Sequence, residues 1–494
     1  MRPLTPVALL LLAALGPGCD RAPTVEHEAQ AATPSSSPAP TEAEVAADDG
    51  ATHAASAGPR SPAAAKTDTT ALHLERPPSR EPTPLGSYAA TPSVTRDRVG
   101  HAFQFDAPVF AAPSAARRIA GIVRRNTRVA IDRWVPGEGC SKSWYALLGG
   151  GYVCTGDGFS VSSDPAPLSE ALQVEPPAVE RALPYRYAKV KTPAPLYWRL
   201  PTADELRSGS TAAVREQAQG AHFVAMDQTH QVGGTTLHRT VRGFYVRDED
   251  LEAKPAPTME GQLLRGAEDL PLAFVHVDEA TLRDPESGAI RGTAERFARF
   301  AVAREELVDG TPRVLARDGF AVAGDSVRLA RTVARPEEVG PDDQWIHVDL
   351  DQQVLVAYEG DRPVLATLVS SGKEGFTPPL GLFYIHKKYT TVTMAGPDPD
   401  AGTYAVEQVP WTMYYWGSFA LHGAYWHDEF GNVRSHGCTN IPPLDARWLF
   451  YWSEPGLPEG WHAKVGLRGP KVWFTRGAVE VEPDAGASVR AAAP

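Results

Sequence analysis

The sequence predicts a mainly β protein in which several small β units precede a larger C-terminal β domain. Short apolar runs separated by turn residues recur from about residue 99 onward, and the 494-residue chain contains 45 Pro and 43 Gly. This composition is typical of long linkers and of β-rich domains with many turns. Eight of the eleven Trp lie between Trp345 and Trp473, which indicates that the C-terminal domain has its own aromatic core.

The charge of the chain argues against one common class of function. The sequence carries 48 basic and 60 acidic side chains, a formal net charge of −12. A nucleic-acid-binding protein would present a basic surface, and anionic lipid head groups attract basic surfaces as well. We therefore expect no nucleic-acid partner.

The N-terminus has the pattern of an export signal. Arg2 precedes an apolar run, Val7 to Leu15, that is too short to span a membrane, so residues 1–18 are predicted to be a signal peptide. Cys19 resembles the lipidated first residue of bacterial lipoproteins, although Leu15 lies four positions before it and that pattern prefers three. The alternative is an ordinary secretory signal with an incidental Cys. Either signal predicts an exported protein of the periplasm or cell envelope, and a lipidated Cys19 would anchor it to a membrane.

Two segments have compositions that cannot form a packed core. Residues 19–98 and 476–494 are rich in Ala, Pro and polar residues, with few aromatic ones. Because such segments bury too little apolar surface to offset their chain entropy, we expect both to be disordered. The first would act as a flexible tether for the folded domains, and the second as a tail.

Three small β units are predicted between the tether and the C-terminal domain. Residues 99–165 contain short apolar runs separated by turns and resemble a bacterial SH3-like domain. The Gly-aromatic ending of this unit recurs at Gly243 and again at Gly319. We therefore expect a second SH3-like unit at residues 185–253 and a third at residues 270–335.

A disulfide is predicted in the first of these units. Cys140 and Cys154 lie on either side of a strand pair between Trp144 and Val153. In an exported protein an even pair of Cys at hairpin distance is expected to be oxidised, and closing such a loop contributes about 3 kcal/mol. The alternative is a pair of reduced, buried thiols.

Residues 344–475 are predicted to form the C-terminal domain. Two apolar runs flank Asp351-Gln352, which indicates a hairpin turn. Further strands are predicted from Arg362 to Val369 and from Leu382 to Lys387. The run from Tyr415 to His422 is predicted to be the strand that leads into the candidate site.

The stretch that indicates chemistry is an HG dipeptide followed by an SHGC tetrapeptide. Leu421-His422-Gly423 is followed, after a loop, by Arg434 to Asn440, which brings one Cys, two His and two Gly to neighbouring strand ends. A thiol is a poor nucleophile until it becomes a thiolate, and a nearby imidazole is the usual means of removing its proton. The pattern therefore predicts nucleophilic chemistry at Cys438.

The two motifs together resemble the signature of the YkuD-type L,D-transpeptidase catalytic domain. The resemblance covers about a quarter of the chain and implies a β-sandwich fold for residues 344–475. It implies that Cys438 is the nucleophile and that His422 accepts and returns the proton. The carbonyl of Gly423 would orient the other ring nitrogen of His422, so no carboxylate is required as a third member.

The other residues of the motifs are assigned to support of the site. Backbone N–H groups of Gly437 and Cys438 would form an oxyanion hole. His436 is assigned to loop structure or to the oxyanion side, and an exchange of roles between His436 and His422 stays open. The remaining assignments are Ser435, Gly423 and Asn440 as loop support and Arg434 as the ligand of a substrate carboxylate or, alternatively, as a solvated charge.

Two other chemistries fit the sequence less well. Ser370-x-x-Lys373 matches a penicillin-binding-protein motif, but the surrounding Gly and Pro indicate a loop, and no Lys-Thr-Gly element follows. A zinc site would draw on His422, His427, His436 and Cys438, with Asp428 and Glu429 nearby. Zinc peptidases normally show paired ligands at tight spacing, which this sequence lacks, so we expect no metal and no cofactor.

The sequence therefore predicts a peptidoglycan L,D-transpeptidase. As the resemblance implies, Cys438 would form a thioester with a stem tetrapeptide, release D-Ala and pass the acyl group to a neighbouring stem in a 3→3 cross-link. Transfer to water would make the protein an L,D-carboxypeptidase, and transfer to a protein would attach that protein to the wall. The alternative from another class is a non-catalytic wall-binding lipoprotein. The sequence specifies neither the acceptor, nor the diamino acid, nor the oligomeric state.

Metabolic labelling with a fatty-acid analogue tests the predicted membrane anchor. We expect label on the wild-type protein and none on Cys19→Ser, because the acyl chains are attached to that Cys. Equal amounts of the two proteins on an immunoblot provide the control. An unlabelled wild-type protein would instead identify residues 1–18 as an ordinary secretory signal.

Overall fold

A computed structural model of the protein describes residues 72–77, 97–169, 172–398 and 402–477. The predicted signal peptide, Cys19, and most of the predicted tether and tail lie outside the described residues. The described part is mainly β, as the sequence predicts. Neither of the two α-helices within these ranges is long and apolar enough to cross a membrane.

A short strand lies inside the segment predicted to be a tether. Strand β1, Leu72–Leu74, pairs in parallel with residues 292–294 of the third β unit. Its two Leu side chains point to one face, as alternate residues of a strand do, and pack against the core of that unit. Gly292 permits this approach, because a Cβ there would lie 1.6 Å from the carbonyl oxygen of Leu72.

Seven strands form the first β unit. They are β2 Val99–Ala102, β3 Asp106–Phe110, β4 Ile119–Arg124, β5 Arg128–Val135, β6 Trp144–Leu147, β7 Tyr152–Cys154 and β8 Phe159–Ser162. β2 pairs with β5 and β8, and β3 pairs with β4 and β7, so the strands curl around a common core. Cys140 and Cys154 form a disulfide in this unit.

The second unit contains seven strands and one short helix. They are β9 Arg186–Val190, β10 Ala194–Tyr197, α1 Ala203–Ser208, β11 Val214–Ala218, β12 Ala221–Val232, β13 Thr235–Thr240, β14 Tyr245–Arg247 and β15 Leu251–Ala253. Helix α1 begins at a capping box, in which Thr202 and Glu205 each bond the other's backbone N–H. It ends at Gly209, which adopts the left-handed conformation.

The third unit follows a linker strand. The linker strand is β16 Gln262–Leu263, and the unit contains β17 Leu272–Val275, β18 Glu279–Arg283, β19 Ile290–Glu295, β20 Arg299–Val308, β21 Thr311–Ala316, β22 Ala321–Ala323 and β23 Val327–Ala330. The boundaries of the three units and their SH3-like identity stay predictions.

The C-terminal domain consists of two β layers and a helix. Its elements are β24 Gln344–Asp349, β25 Val354–Glu359, β26 Arg362–Leu368, β27 Gly381–Tyr384, β28 Lys387–Asp398, β29 Gly402–Trp416, β30 Phe419–Gly423, β31 Thr439–Ile441, α2 Pro443–Trp452, β32 Ala463–Val465 and β33 Lys471–Thr475. One layer has the order β16-β26-β25-β24-β33-β27, and the other contains β28 to β32. Apolar side chains of both layers and of α2 meet in one core.

One predicted strand of this domain is wrong. The run from Tyr415 to His422 is divided, since β29 ends at Trp416 and β30 begins at Phe419. Gly417 forms the turn between them with φ +49°, a conformation that glycine adopts without steric cost. The candidate site therefore lies at the end of a hairpin arm, and the long β28–β29 hairpin that precedes it has no counterpart in the sequence prediction.

Strand pairing joins the upstream units to the C-terminal domain. β12 of the second unit pairs in parallel with β29 from Ala221↔Tyr404 to Phe223↔Val406. β4 of the first unit pairs with β32, and the linker strand β16 pairs with β26. The first and second units and the linker strand therefore each add a strand to a C-terminal layer, whereas the strands of the third unit form a separate sheet with β1.

Removal of the disulfide tests how far it stabilises the first unit. The bridge closes a loop with a sequence separation of 14, which contributes about 3 kcal/mol by restricting the unfolded chain. We expect Cys140→Ser/Cys154→Ser to lower the local free energy of unfolding by that order. Hydrogen exchange by mass spectrometry, in rising urea, should show earlier exposure of residues 99–162 and little change in residues 344–398. Equal protection of residues 99–162 in both proteins would contradict the prediction.

Candidate active site

The register of two neighbouring strands brings the HG and SHGC motifs together. β30 and β31 are parallel, with His422 opposite Asn440 and Gly423 opposite Ile441. Cys438 immediately precedes β31, two positions before Asn440 and therefore beside the beginning of β30. Its thiol is partly exposed and lies 3.7 Å from the carbonyl oxygen of Ser418, in the turn between β29 and β30.

The imidazole of His422 is buried and fixed by the backbone. Its side chain is 2% exposed, and Nδ1 donates to the carbonyl oxygen of Gly423 at 3.3 Å. Burial penalises the charged ring and lowers the pKa of His422 to about 4. The ring is therefore neutral at pH 7, and with the proton on Nδ1 the lone pair of Nε2 is available to accept another.

The Ser435 side chain forms hydrogen bonds within the loop of residues 435–438, which contains Cys438. Its hydroxyl donates to the carbonyl oxygen of Cys438 and accepts from the N–H of Gly437 at 3.1 Å. Gly437 has φ +123°, and a Cβ there would lie 2.8 Å from the Phe419 ring. Glycine is therefore required at this position both by its conformation and by the space available.

A second loop, which contains Ser370 and Lys373, forms backbone hydrogen bonds with Ser435 and Asn440. Ser370 and Asn440 exchange two backbone hydrogen bonds of 2.9 and 3.0 Å. The Ser371 carbonyl accepts from Ser435 N–H at 2.9 Å, and the Ser435 carbonyl accepts from Lys373 N–H at 3.0 Å. The Ser-x-x-Lys match thus lies in a loop, where its backbone positions the motif that contains Cys438.

His436 is held by the long β28–β29 hairpin. Its Nε2 lies 3.4 Å from a carboxylate oxygen of Asp398, the last residue of β28. The Tyr404 ring stacks on the imidazole with 5.4 Å between ring centres and an angle of 4°. The Phe376 ring meets it edge-on at 5.1 Å. These contacts hold the imidazole of His436 against the β28–β29 hairpin.

Arg434 and Asn440 have partners within the protein. Arg434 forms an ion pair with Glu429, and both side chains are about half exposed. Arg434 would have to exchange this partner before it could bind a substrate carboxylate. The Asn440 amide lies 2.7 Å from Nε2 of His427, whose Nδ1 accepts from Glu429 N–H at 3.1 Å. Asn440 therefore links the strand that follows Cys438 to the connecting loop.

The groups considered as zinc ligands are placed for other contacts. Burial lowers the pKa of His427 to about 3, and both of its ring nitrogens are engaged within the loop. Among the residues that the structure describes, no group of three or more His, Cys, Asp or Glu side chains could hold a metal ion. The site is built from a thiol, two imidazoles and backbone groups.

Comparison with known proteins agrees with this geometry. Residues 343–461 match the L,D-transpeptidase catalytic domain family YkuD. This part of the chain is a YkuD-type L,D-transpeptidase catalytic domain. The match leaves the three upstream β units outside the family's bounds.

Several solved L,D-transpeptidases are similar to parts of the chain. A C-to-S variant of the Enterococcus faecium enzyme is 26% identical, with 27% of this chain and 50% of that chain covered and a TM-score of 0.22. The catalytic domain of an E. faecium enzyme is 28% identical, with 27% and 98% covered and a TM-score of 0.22. The Mycobacterium smegmatis enzyme is 17% identical, with 52% and 95% covered and a TM-score of 0.22. The chain spans about half the length of the first of these, and no curated protein matches it.

The L,D-transpeptidase domain contains functional contacts that sequence reasoning missed. The missed residues are Ser418 beside the thiol, Ser371 in the supporting loop, His427 next to Asn440, and the rings that pack against the two imidazoles. The HG and SHGC motifs can be recognised in the sequence because they are local patterns. These contacts join residues distant in sequence, and no periodicity marks them.

Acylation by a carbapenem across pH distinguishes the two imidazoles. His422 is neutral above about pH 4, so it can accept the thiol proton throughout the neutral range. His422→Ala should slow acylation by about 10²–10⁴-fold. The rate should recover as pH rises toward about 8.5, because a free thiol ionises by itself there. His436→Ala should lose activity through loop geometry, which alkaline pH does not restore. If stopped-flow measurements showed that alkaline pH restores acylation in His436→Ala but not in His422→Ala, His436 and not His422 would be the base.

Proposed function

We propose that this protein is a peptidoglycan L,D-transpeptidase that uses Cys438 as its nucleophile. The observation that carries the proposal is a partly exposed thiol at the start of the strand paired with the one that carries a buried, neutral imidazole, within an L,D-transpeptidase domain. A Cys with a neighbouring base and a loop of backbone donors is suited to acyl transfer. The substrates and the acceptor below belong to the same proposal.

The first half-reaction forms a thioester. Nε2 of His422 accepts the thiol proton as the sulfur of Cys438 attacks the carbonyl carbon between the L-centre of a diamino acid and a terminal D-Ala. The tetrahedral intermediate then collapses, the C–N bond breaks, and the imidazolium returns the proton to the leaving amine. D-Ala departs, and the stem peptide stays attached to Cys438 through the C–S bond.

The oxyanion of that intermediate needs hydrogen-bond donors. The Gly437 N–H is engaged by Ser435 Oγ in the free protein, so its service in an oxyanion hole requires this bond to yield when substrate binds. The Gly437 N–H would then exchange the Ser435 hydroxyl for the substrate oxygen. Ser435 would keep the loop in place through its bond to the Cys438 carbonyl.

The second half-reaction returns the enzyme to its free form. An amine of a neighbouring stem attacks the thioester, passes its proton to His422, and expels the thiolate, which recovers that proton. The product is a 3→3 cross-link between two stems. With water as acceptor the same steps give L,D-carboxypeptidase activity, and with a protein amine they attach that protein to the wall.

Location follows from the proposed chemistry and from the N-terminal pattern. Peptidoglycan lies outside the inner membrane, so its transpeptidase must be exported, which agrees with a signal peptide at residues 1–18. We propose a lipid anchor at Cys19. Because β1 is part of the folded structure, the tether would run from Cys19 to β1 and would let the folded part reach the wall.

A second candidate function is wall binding without catalysis. The three upstream β units would hold peptidoglycan, and the C-terminal domain would be inactive. The complete HG and SHGC motifs and the buried base at His422 favour the enzyme. Incubation with tetrapeptide muropeptides, followed by mass spectrometry, separates the two, since only the enzyme releases D-Ala.

Removal of the thiol tests the proposed nucleophile. Cys438→Ala should abolish D-Ala release and the covalent carbapenem adduct, because no other group in the site can form the thioester. Circular dichroism should remain that of the wild type, since one small, partly exposed side chain is shortened. Intact-mass spectrometry detects the adduct. Cross-linking by Cys438→Ala would exclude Cys438 as nucleophile.

A further inference from the structure

Strand β12 of the second upstream unit lies against one side of the candidate active site. Its first residues pair in parallel with β29, with Ala221 opposite Tyr404 and Phe223 opposite Val406. Tyr404 is the residue whose ring stacks flat on His436. The backbone of the second unit thus fixes the strand that carries the ring packed on one imidazole.

A side chain of the same strand reaches toward the other imidazole. The Phe223 ring lies 6.2 Å from that of Tyr425 and 6.4 Å from that of Trp426. The Trp426 ring in turn lies 5.6 Å from the His422 ring. Tyr187, on β9 of the same unit, stacks on Tyr425 with 3.9 Å between ring centres. Aromatic contacts therefore connect the second unit to His422 without a gap.

We infer that the second upstream unit positions both imidazoles of the active site, and that Phe223 is a positioning residue that acts on His422 through Trp426. The inference rests on the proposed function, since it concerns the proposed base. It gives the upstream unit a direct part in catalysis, in addition to any binding of the wall. Neither Phe223 nor Tyr187 belongs to the matched domain, which begins at residue 343.

The physical basis is the exclusion of water from His422. Phe223 is 8% exposed, and its ring fills the space behind Trp426. Shortening this side chain would leave a cavity into which Trp426 can relax, so water would reach the imidazole. A displacement of about 1 Å in a catalytic group can cost about 10²-fold in rate.

In the pH profile, the titration of other groups near His422 must be distinguished from the titration of His422 itself. His427 lies in the same loop, and burial lowers its pKa to about 3. Glu407 on β29 accepts from the N–H of Ala225 at 3.3 Å, and burial raises its pKa to about 7. Cys438 is the third group. Of these, only Glu407 is expected to titrate between pH 5 and 7.5 together with a hydrated His422, so a Glu407→Gln background removes its contribution.

The test compares three variants in the full chain. Phe223→Ala removes the ring, Phe223→Leu keeps most of its volume, and Leu237→Ala truncates a buried residue in a separate cluster of the same unit. The measurement is carbapenem acylation of Cys438 from pH 4.5 to 8, with the maximal rate and the half-saturating concentration determined separately. Each variant is also made in the Glu407→Gln background.

We expect Phe223→Ala to lower the maximal acylation rate about 10²-fold with little change in half-saturation. Its acid limb should move to higher pH, because a hydrated imidazole regains a pKa nearer 6.5. Phe223→Leu should restore most of the rate, and Leu237→Ala should keep the wild-type pH profile even if the unit is less stable.

Three results would overturn the inference. A wild-type rate and acid limb in Phe223→Ala would show that His422 does not depend on Phe223, while acylation at Cys438 would leave the proposed function intact. If Phe223→Ala fails to fold, an acid limb moved to higher pH in Leu237→Ala would show that the limb reports general destabilisation of the unit, which also overturns the inference. A wild-type protein that is not acylated at all would overturn the proposed function, and the inference with it.

Discussion

The parallel pairing of β30 with β31 is the constraint on which the site depends. It sets His422 opposite Asn440 and thereby brings Cys438 beside the beginning of the strand that carries His422. Parallel neighbours cannot be joined by a tight turn and need a long crossover, which is usually a helix. Here residues 424–438 make the connection with no helix in this fully described stretch. A connection without its own hydrogen-bonded structure must be held by its surroundings.

Both sides of that connection are held by the upstream units. On one side the third unit donates charged hydrogen bonds, from Arg296 to the Asp428 carbonyl at 2.7 Å and from Arg328 to the Gly431 carbonyl at 2.8 Å. Bonds from charged donors contribute about 1.5–3 kcal/mol each. On the other side Phe223 of the second unit packs against Trp426. Contacts from the upstream units therefore hold the connection between β30 and β31, which has no helix of its own, in place.

The local features of this protein could be predicted from sequence, and its long-range features could not. Most short strands and the HG and SHGC motifs follow from alternation and from a compact signature. The β28–β29 hairpin was missed because Gln408 and Trp411, at φ +50° and +57°, interrupt the alternation of β29. Helix α2 was missed because it is buried on most sides and so lacks an amphipathic pattern. The aromatic contacts around His422 depend on packing between units, which no local pattern encodes.

The burial of His422 also bears on how the thiol would be activated. Moving a proton from a thiol with a reference pKa of about 8.5 to an imidazole with a pKa of about 4 costs about 6 kcal/mol before the two charges attract each other. With that reference value for the thiol, a preformed thiolate–imidazolium pair is disfavoured in the free protein. Proton transfer then becomes favourable only as the sulfur bonds to a carbonyl carbon and its charge moves to the substrate oxygen. In the proposed mechanism, the burial of His422 would thus make activation of the thiol depend on the presence of substrate.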